Sequence, residues 1–126
     1  FKISGVTGAT ATDSIATGRI WDDDGVSYAT SVKPVIIARC AISGCHGSGS
    51  SSGGLIMGSG AWSTVRFAVG DNGAIVIPLN SAASHLYTKT TLSKPFGSQM
   101  PLSGAKLSLE VQDTIRMWID QDAQDN

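Results

Sequence analysis

The sequence predicts an all-α domain of three to five helices joined by long loops, preceded by an irregular N-terminal extension. Three observations predict it. The stretch Ser31–Cys40 and the stretch after Ser108 both carry apolar residues at helical spacing. Long Gly- and Ser-rich connections separate the apolar segments. The chain has 126 residues, room for one core of ordinary size. The domain is expected over residues 30–126 and the extension over residues 1–29.

Residues 1–29 are rich in Gly, Thr, Ser and Asp, and Ile3, Val6, Ile20, Trp21 and Val26 lack a sustained period. An extended arm is expected, with one short hairpin near Asp22-Asp23-Asp24-Gly25. An EF-hand calcium loop needs oxygens at its first, third and fifth positions, and that register puts Ile20 first. The acidic triplet therefore reads as a solvated turn. The first helix spans Ser31–Cys40, with Thr30 or Ser31 as cap and Pro34 in the first turn, where amide hydrogens lack partners anyway. Val32, Val35, Ile36 and Arg39 or Cys40 share one face.

Residues 44–60 are almost all Gly and Ser, apart from Cys45-His46 and Leu55-Ile56-Met57. Their place beside the Cys-His pair predicts a loop folded over something rather than a linker. A short helix is expected over Ala61–Val69, stopped by Gly70, and a brief apolar run over Ala74–Ile77 ends at Pro78. A further helix runs from a Ser81 cap to about Thr88, and Thr91–Gly104 is a loop carrying Pro95, Met100 and Pro101. The last helix begins at a Ser108 cap, with Glu110 in the first turn where the helix dipole favours negative charge. Val111, Ile115, Trp118 and Ile119 form its apolar stripe, and the polar end from Asp120 to Asn126 is expected to fray.

Composition narrows the function classes. The chain is 41% apolar and 15% charged, which favours folding over disorder. Net charge is −1 and no Lys/Arg block occurs, so a nucleic-acid partner is not expected. No apolar run approaches the roughly 20 residues of a membrane span. The chain opens on Phe1 without a signal-peptide pattern, and is read as a processed form or an excised piece.

The specific signal is Cys40-Ala41-Ile42-Ser43-Gly44-Cys45-His46. Two nearby thiols can add across the two vinyl groups of one haem, and an adjacent His then supplies a nitrogen to the iron. The usual spacing is C-x-x-C-H. Here four residues separate the thiols, and Ser43-Gly44 supply the flexibility for an outward bulge. The same residues support other readings: a disulfide closing a small loop, with His46 as a surface residue; a zinc site from Cys40, Cys45, His46 and His85, which lacks finger-like spacing; or a redox dithiol, which uses C-x-x-C on a βαβ frame.

A haem with one His needs a sixth position, filled or open. Thioether sulfur there suits an electron carrier, because it favours Fe(II) and raises the potential. Met117 lies within the last helix and reads as packing. Met57 follows His46 by eleven residues and needs a tight wrap. Met100 follows by 54 residues in a loop next to Pro101, long enough to reach the opposite face. It is the expected ligand. His85, which could give bis-His ligation, is read as solvent-facing.

The order of these features resembles planctomycete-type cytochrome c domains, of the broader class I cytochrome c architecture. The features are Cys40-x4-Cys45-His46-Gly47, then Gly53-Gly54-Leu55, Ile77-Pro78, Ser84-x-Leu86-Tyr87, Met100-Pro101, and Leu107-Ser108 opening a helix with Trp118-Ile119-Asp120. The likeness covers about Ser31 to Ala123 and departs from the family in the spacing of the two cysteines. It implies one covalent haem c on Cys40 and Cys45, with His46 and Met100 as iron ligands. It implies that Pro78 lies near the haem, its carbonyl accepting the His46 ring hydrogen. It also implies that the last helix crosses the first near Trp118.

The function expected is one-electron transfer outside the cytoplasm, in the periplasm or at the cell exterior, without an enzymatic site of its own. Redox proteins are the expected partners, met singly or within a larger redox complex or chain of haems. Residues 1–29 then cover the haem edge or dock onto such an assembly. The alternatives are a haem sensor or haem enzyme with an open sixth site, and a haem-free, disulfide- or zinc-stabilised extracellular interaction module.

Overall fold

In the computed structural model, which describes residues 25–126, the expected first helix begins three residues early as a wide π-type turn over Tyr28–Val32. It continues as α1, Lys33–Arg39, with Pro34 in its first turn. The cap is Ser27 rather than Ser31 or Thr30: its hydroxyl accepts from the Thr30 amide at 3.2 Å. Val32 and Ile36 are fully buried, and Val35 and Cys40 pack against them at the edge of the core. The arm expected before residue 25 lies outside the described residues, and so does most of the Asp22–Gly25 turn.

The Gly/Ser loop contains one 3-10 turn, Ser52–Gly54. Helix α2 is short, Trp62–Arg66. The helix expected to run on to Val69 ends at Phe67, because Val69 is drawn into a hairpin. Strand β1, Val69–Gly70, pairs antiparallel with β2, Gly73–Ala74, with Val69 opposite Ala74. Gly73 turns the corner at φ +101°, in the region that favours glycine. The Asp71 amide donates to the Gly53 carbonyl at 2.8 Å, which ties the hairpin to the Gly/Ser loop.

The helix expected over Ser81–Thr88 is two pieces, a 3-10 turn Ser81–Ala83 and α3, His85–Thr88. Ser84 causes the break. It is fully buried, and its hydroxyl donates toward the carbonyls of Asn80 (2.8 Å) and Ile77 (3.1 Å) while accepting from the Ile77 amide (2.8 Å). A serine so engaged competes with helical bonding. The cap is Asn80, not Ser81: its side chain accepts from the Ala83 amide. Ser81 instead donates through both amide and hydroxyl, at 2.9 Å, to the Asp120 carboxylate.

Helix α4, Leu109–Asp120, is capped by Ser108, whose hydroxyl accepts from the Val111 amide at 3.2 Å. Ile115, Trp118 and Ile119 are buried and Val111 is half-buried, as the stripe predicts. The segment after α4 does not fray. Ala123 is fully buried, and its amide donates to the Trp118 carbonyl at 2.8 Å. The Ala123 carbonyl accepts from the Trp62 indole N–H (2.8 Å), and the Gln124 carbonyl from the Trp118 indole N–H (2.9 Å). Asn126 accepts from the Ala29 and Tyr28 amides.

The core gathers α1, α2 and α4 around these contacts. Tyr28 is buried, its ring 5.0 Å from that of Trp118, and its hydroxyl donates to the Gly60 carbonyl at 2.6 Å. Tyr28 is thus part of the core and Val26 packs against it, just ahead of the boundary expected at residue 29. Trp118 meets the turn that leads into α1, through Tyr28. Among the described residues, no helix is long and apolar enough to cross a membrane.

Candidate functional site

Cys40 is the C-cap of α1, its amide still bonded to the Ile36 carbonyl at 2.9 Å. From there the chain closes on itself. The His46 amide donates to the Cys40 carbonyl (3.2 Å), and the Cys45 and Gly47 amides both donate to the Ile42 carbonyl (3.0 and 3.1 Å). The extra length between the thiols goes outward: Ser43 and Gly44 are exposed, and Gly44 sits at φ +85°. The Gly44 amide is held by the Ser50 hydroxyl at 2.8 Å. The four intervening residues thus form a bulge on a hydrogen-bonded backbone ring that runs from Cys40 to Gly47.

His46 is half-buried, and its Nδ1 lies 3.1 Å from the Leu55 carbonyl. That carbonyl stands where the resemblance implies Pro78. An Nδ1–H donated to it fixes the tautomer, orients the ring and leaves Nε2 as a basic ligand nitrogen. The His46 carbonyl in turn accepts from the Met57 amide at 2.7 Å, so residues 55–57 fold back over the Cys-His ring. Pro78 is half-buried at the second position of a turn closed by the Asn80 amide on the Ile77 carbonyl, 3.1 Å. Leu79 takes the next position at φ +66°, the positive angle a type II turn requires there.

The two thiols are free. Burial pushes the Cys40 thiol up to about 11, Arg39 pulling the other way and Cys45 adding a smaller rise. Cys40 is therefore a neutral thiol at ordinary pH.

The three methionines differ in setting. Met57 is buried in the core, and Met117 is buried on α4. Met100 is half-buried in the loop after α3, its amide donating to the Lys89 carbonyl at 2.7 Å. His85 is not simply solvent-facing: it is half-buried, with its ring edge-on to Phe96 at 5.0 Å. Cys40, Cys45, His46 and His85 do not gather as a ligand set; among the described residues, no three His, Cys, Asp or Glu side chains do.

A covalent haem asks for two free thiols, an imidazole held through Nδ1 and apolar surface to lie on. The first two are met as described. Of the nine large apolar side chains that stand exposed, seven fall between Ile56 and Leu102, among them Phe67, Ile77, Leu79, Leu92 and Leu102. In sequence these lie between His46 and Met100 or just past it, and each offers apolar surface. The residues present fit the group.

The sequence signals missed three features. The carbonyl partner of His46 was missed although Gly53-Gly54-Leu55 stood out as a motif, because a backbone oxygen has no residue type to recognise. Tyr28 was missed as a core residue because it follows a polar, aperiodic stretch. The cationic side chains that hold the Met100 loop were missed because their acceptors are backbone carbonyls. No family model, curated protein or solved structure matches this chain.

Proposed function

We propose that this chain is a monohaem c-type cytochrome domain that carries single electrons outside the cytoplasm. The observation that carries the reading is the His46 imidazole with its Nδ1 3.1 Å from the Leu55 carbonyl, in a loop whose two thiols are free. A metal-ligating histidine nearly always has such a partner on its other ring nitrogen.

When bound, the haem supplies a reversible one-electron iron couple. Cys40 and Cys45 would hold it by thioether bonds, and His46 would offer Nε2 to the iron. Met100 would offer a further ligand to the iron from a loop anchored to the end of α3. Leu55 keeps the imidazole oriented and raises its basicity through the Nδ1 hydrogen bond. The exposed apolar side chains between Ile56 and Leu102 would be candidates to pack on the flat ring. The reading is electron transfer rather than catalysis, because it rests on the Cys-His loop and Met100, whose chemistry is that of iron ligation and redox exchange. Redox proteins that touch the haem edge briefly are the partners it implies.

Intact mass after denaturation tests the attachment. The expected result is one haem retained, with a pyridine haemochrome spectrum of two thioethers. Colourless protein with free or paired thiols overturns the reading. Replacing Met100 by Ala is expected to keep the haem, abolish the far-red ferric band of thioether ligation, and lower the potential. The expected fall is on the order of 0.1 V out of the roughly 0.8 V that axial ligands command. An unchanged spectrum in that variant assigns the ligand elsewhere.

A further inference from the structure

We infer that Lys106 is the positioning residue of Met100: its ammonium grips the two peptide carbonyls that flank this residue and sets where the thioether sits. The inference rests on the reading of Met100 as an iron ligand.

The loop from Thr91 to Gly104 contains no helix or strand, so its course is set by whatever bonds its backbone polar groups. Around Met100 those bonds come from two directions. On one side the Met100 amide donates to the Lys89 carbonyl (2.7 Å), and the Gln99 side-chain amide donates to the Thr90 carbonyl (2.8 Å). These tie the residue to the chain that leaves α3. On the other side the Lys106 Nζ lies 3.1 Å from the Gln99 carbonyl and 2.5 Å from the Pro101 carbonyl. One ammonium therefore holds the carbonyls of both residues next to Met100, those of the Gln99–Met100 and Pro101–Leu102 peptides. Pro101 is buried, which anchors the same peptide from its apolar side.

Two further cations treat the flanks of the loop in the same way. Lys89 donates to the Phe96 carbonyl at 2.6 Å and lies 4.5 Å from the centre of that ring, and Arg39 donates to the Ala105 carbonyl. They hold the ends of the loop, whereas Lys106 acts on both neighbours of the ligand. An ammonium is well suited to bridging carbonyls, because it has three donors and no acceptor, and its charge strengthens each bond. An exposed lysine touching a single carbonyl contributes little. Bridging two carbonyls across one residue differs, because losing the charge frees both at once.

The test compares the haem-loaded parent with Lys106→Met, which keeps the apolar stem, and Lys106→Arg, which keeps the cation. Amide exchange at Met100 and imidazole binding to the ferric protein, followed by loss of the far-red band, are the readouts. In Lys106→Met, exchange at Met100 is expected to quicken about tenfold and imidazole to bind about tenfold more tightly, as a loosened ligand yields its place more often. Haem content stays at the parent level, and Lys106→Arg stays near the parent in both readouts. Lys106→Met that matches the parent in exchange and imidazole affinity overturns the role of Lys106 alone. A parent protein with no far-red band sinks Met100 as a ligand, and this role with it, before any variant is compared.

Discussion

Gly47 follows His46, and a Cβ there would stand 3.0 Å from both the carbon and the oxygen of the Ile42 carbonyl. Neither is the free end of a side chain, so the backbone ring from Cys40 to Gly47 must spread to admit it. Replacing Gly47 by Ala is expected to cost about 1–3 kcal/mol, read by thermal denaturation, and to lower the yield of haem-bearing protein. Titration acts at the same scale. Burial raises the Cys40 thiol from 9.0 to about 11 and the Tyr28 phenol from 10.0 to about 12. Both folded values exceed the unfolded ones, so the unfolded chain sheds these protons first. Their contribution to stability is whole below pH 9 and lost as pH rises through 11 and 12. Before haem attachment, chemical denaturation should show stability falling from about pH 9; with Cys40 in a thioether the fall should start nearer pH 10, from Tyr28 alone. Identical alkaline profiles for the two forms would count against a buried Cys40 thiol. Cys40, Cys45, His46 and Met100 were legible as candidates because residue type and spacing carry their chemistry. The Leu55 carbonyl was not, since every residue has one and only the fold brings this one to the imidazole.

At the scale of elements, legibility followed the strength of the local signal. Helix α4 has a capping serine, an acidic first turn and a clean apolar stripe, and these are local properties that tertiary contacts reinforce. Replacing Ser108 by Ala is expected to cost about 1 kcal/mol, measured as a lowered denaturation midpoint with the visible spectrum unchanged. Helices α2 and α3 carry weaker signals, and tertiary bonding overrode them. Val69 leaves a helical pattern to pair with Ala74, in a hairpin held to the Gly/Ser loop through Asp71 and Gly53. Ser84 looked like an interior helical position. Buried, its hydroxyl finds the Ile77 and Asn80 carbonyls and breaks the segment there. Both partners are backbone carbonyls, which side-chain periodicity does not register.

Over the whole molecule the two ends of the described chain meet. Val26, Tyr28 and Ala29 bond to Gln121 and Asn126, and the Tyr28 ring packs on Trp118. The Tyr28 hydroxyl extends the same cluster to the Gly60 carbonyl, at the end of the loop that folds over His46. Removing that hydroxyl in Tyr28→Phe leaves the buried carbonyl without its donor, and is expected to cost about 1–3 kcal/mol. Amide exchange should quicken around Gly60 as well as at the site of the change; a loss confined to Tyr28 itself would deny the link. By itself, the sequence determined the principal helices, the Cys-x4-Cys-His loop and the candidate ligand in the distal loop. Each of those is written in residue type and short-range spacing. Only the tertiary structure decided which carbonyl faces the imidazole, where the weaker helices stop, that the polar C-terminal segment is pinned rather than loose, and that Tyr28 is part of the core with Val26 packed against it. Those outcomes turn on backbone atoms and on partners up to 100 residues apart, where composition and periodicity carry no signal.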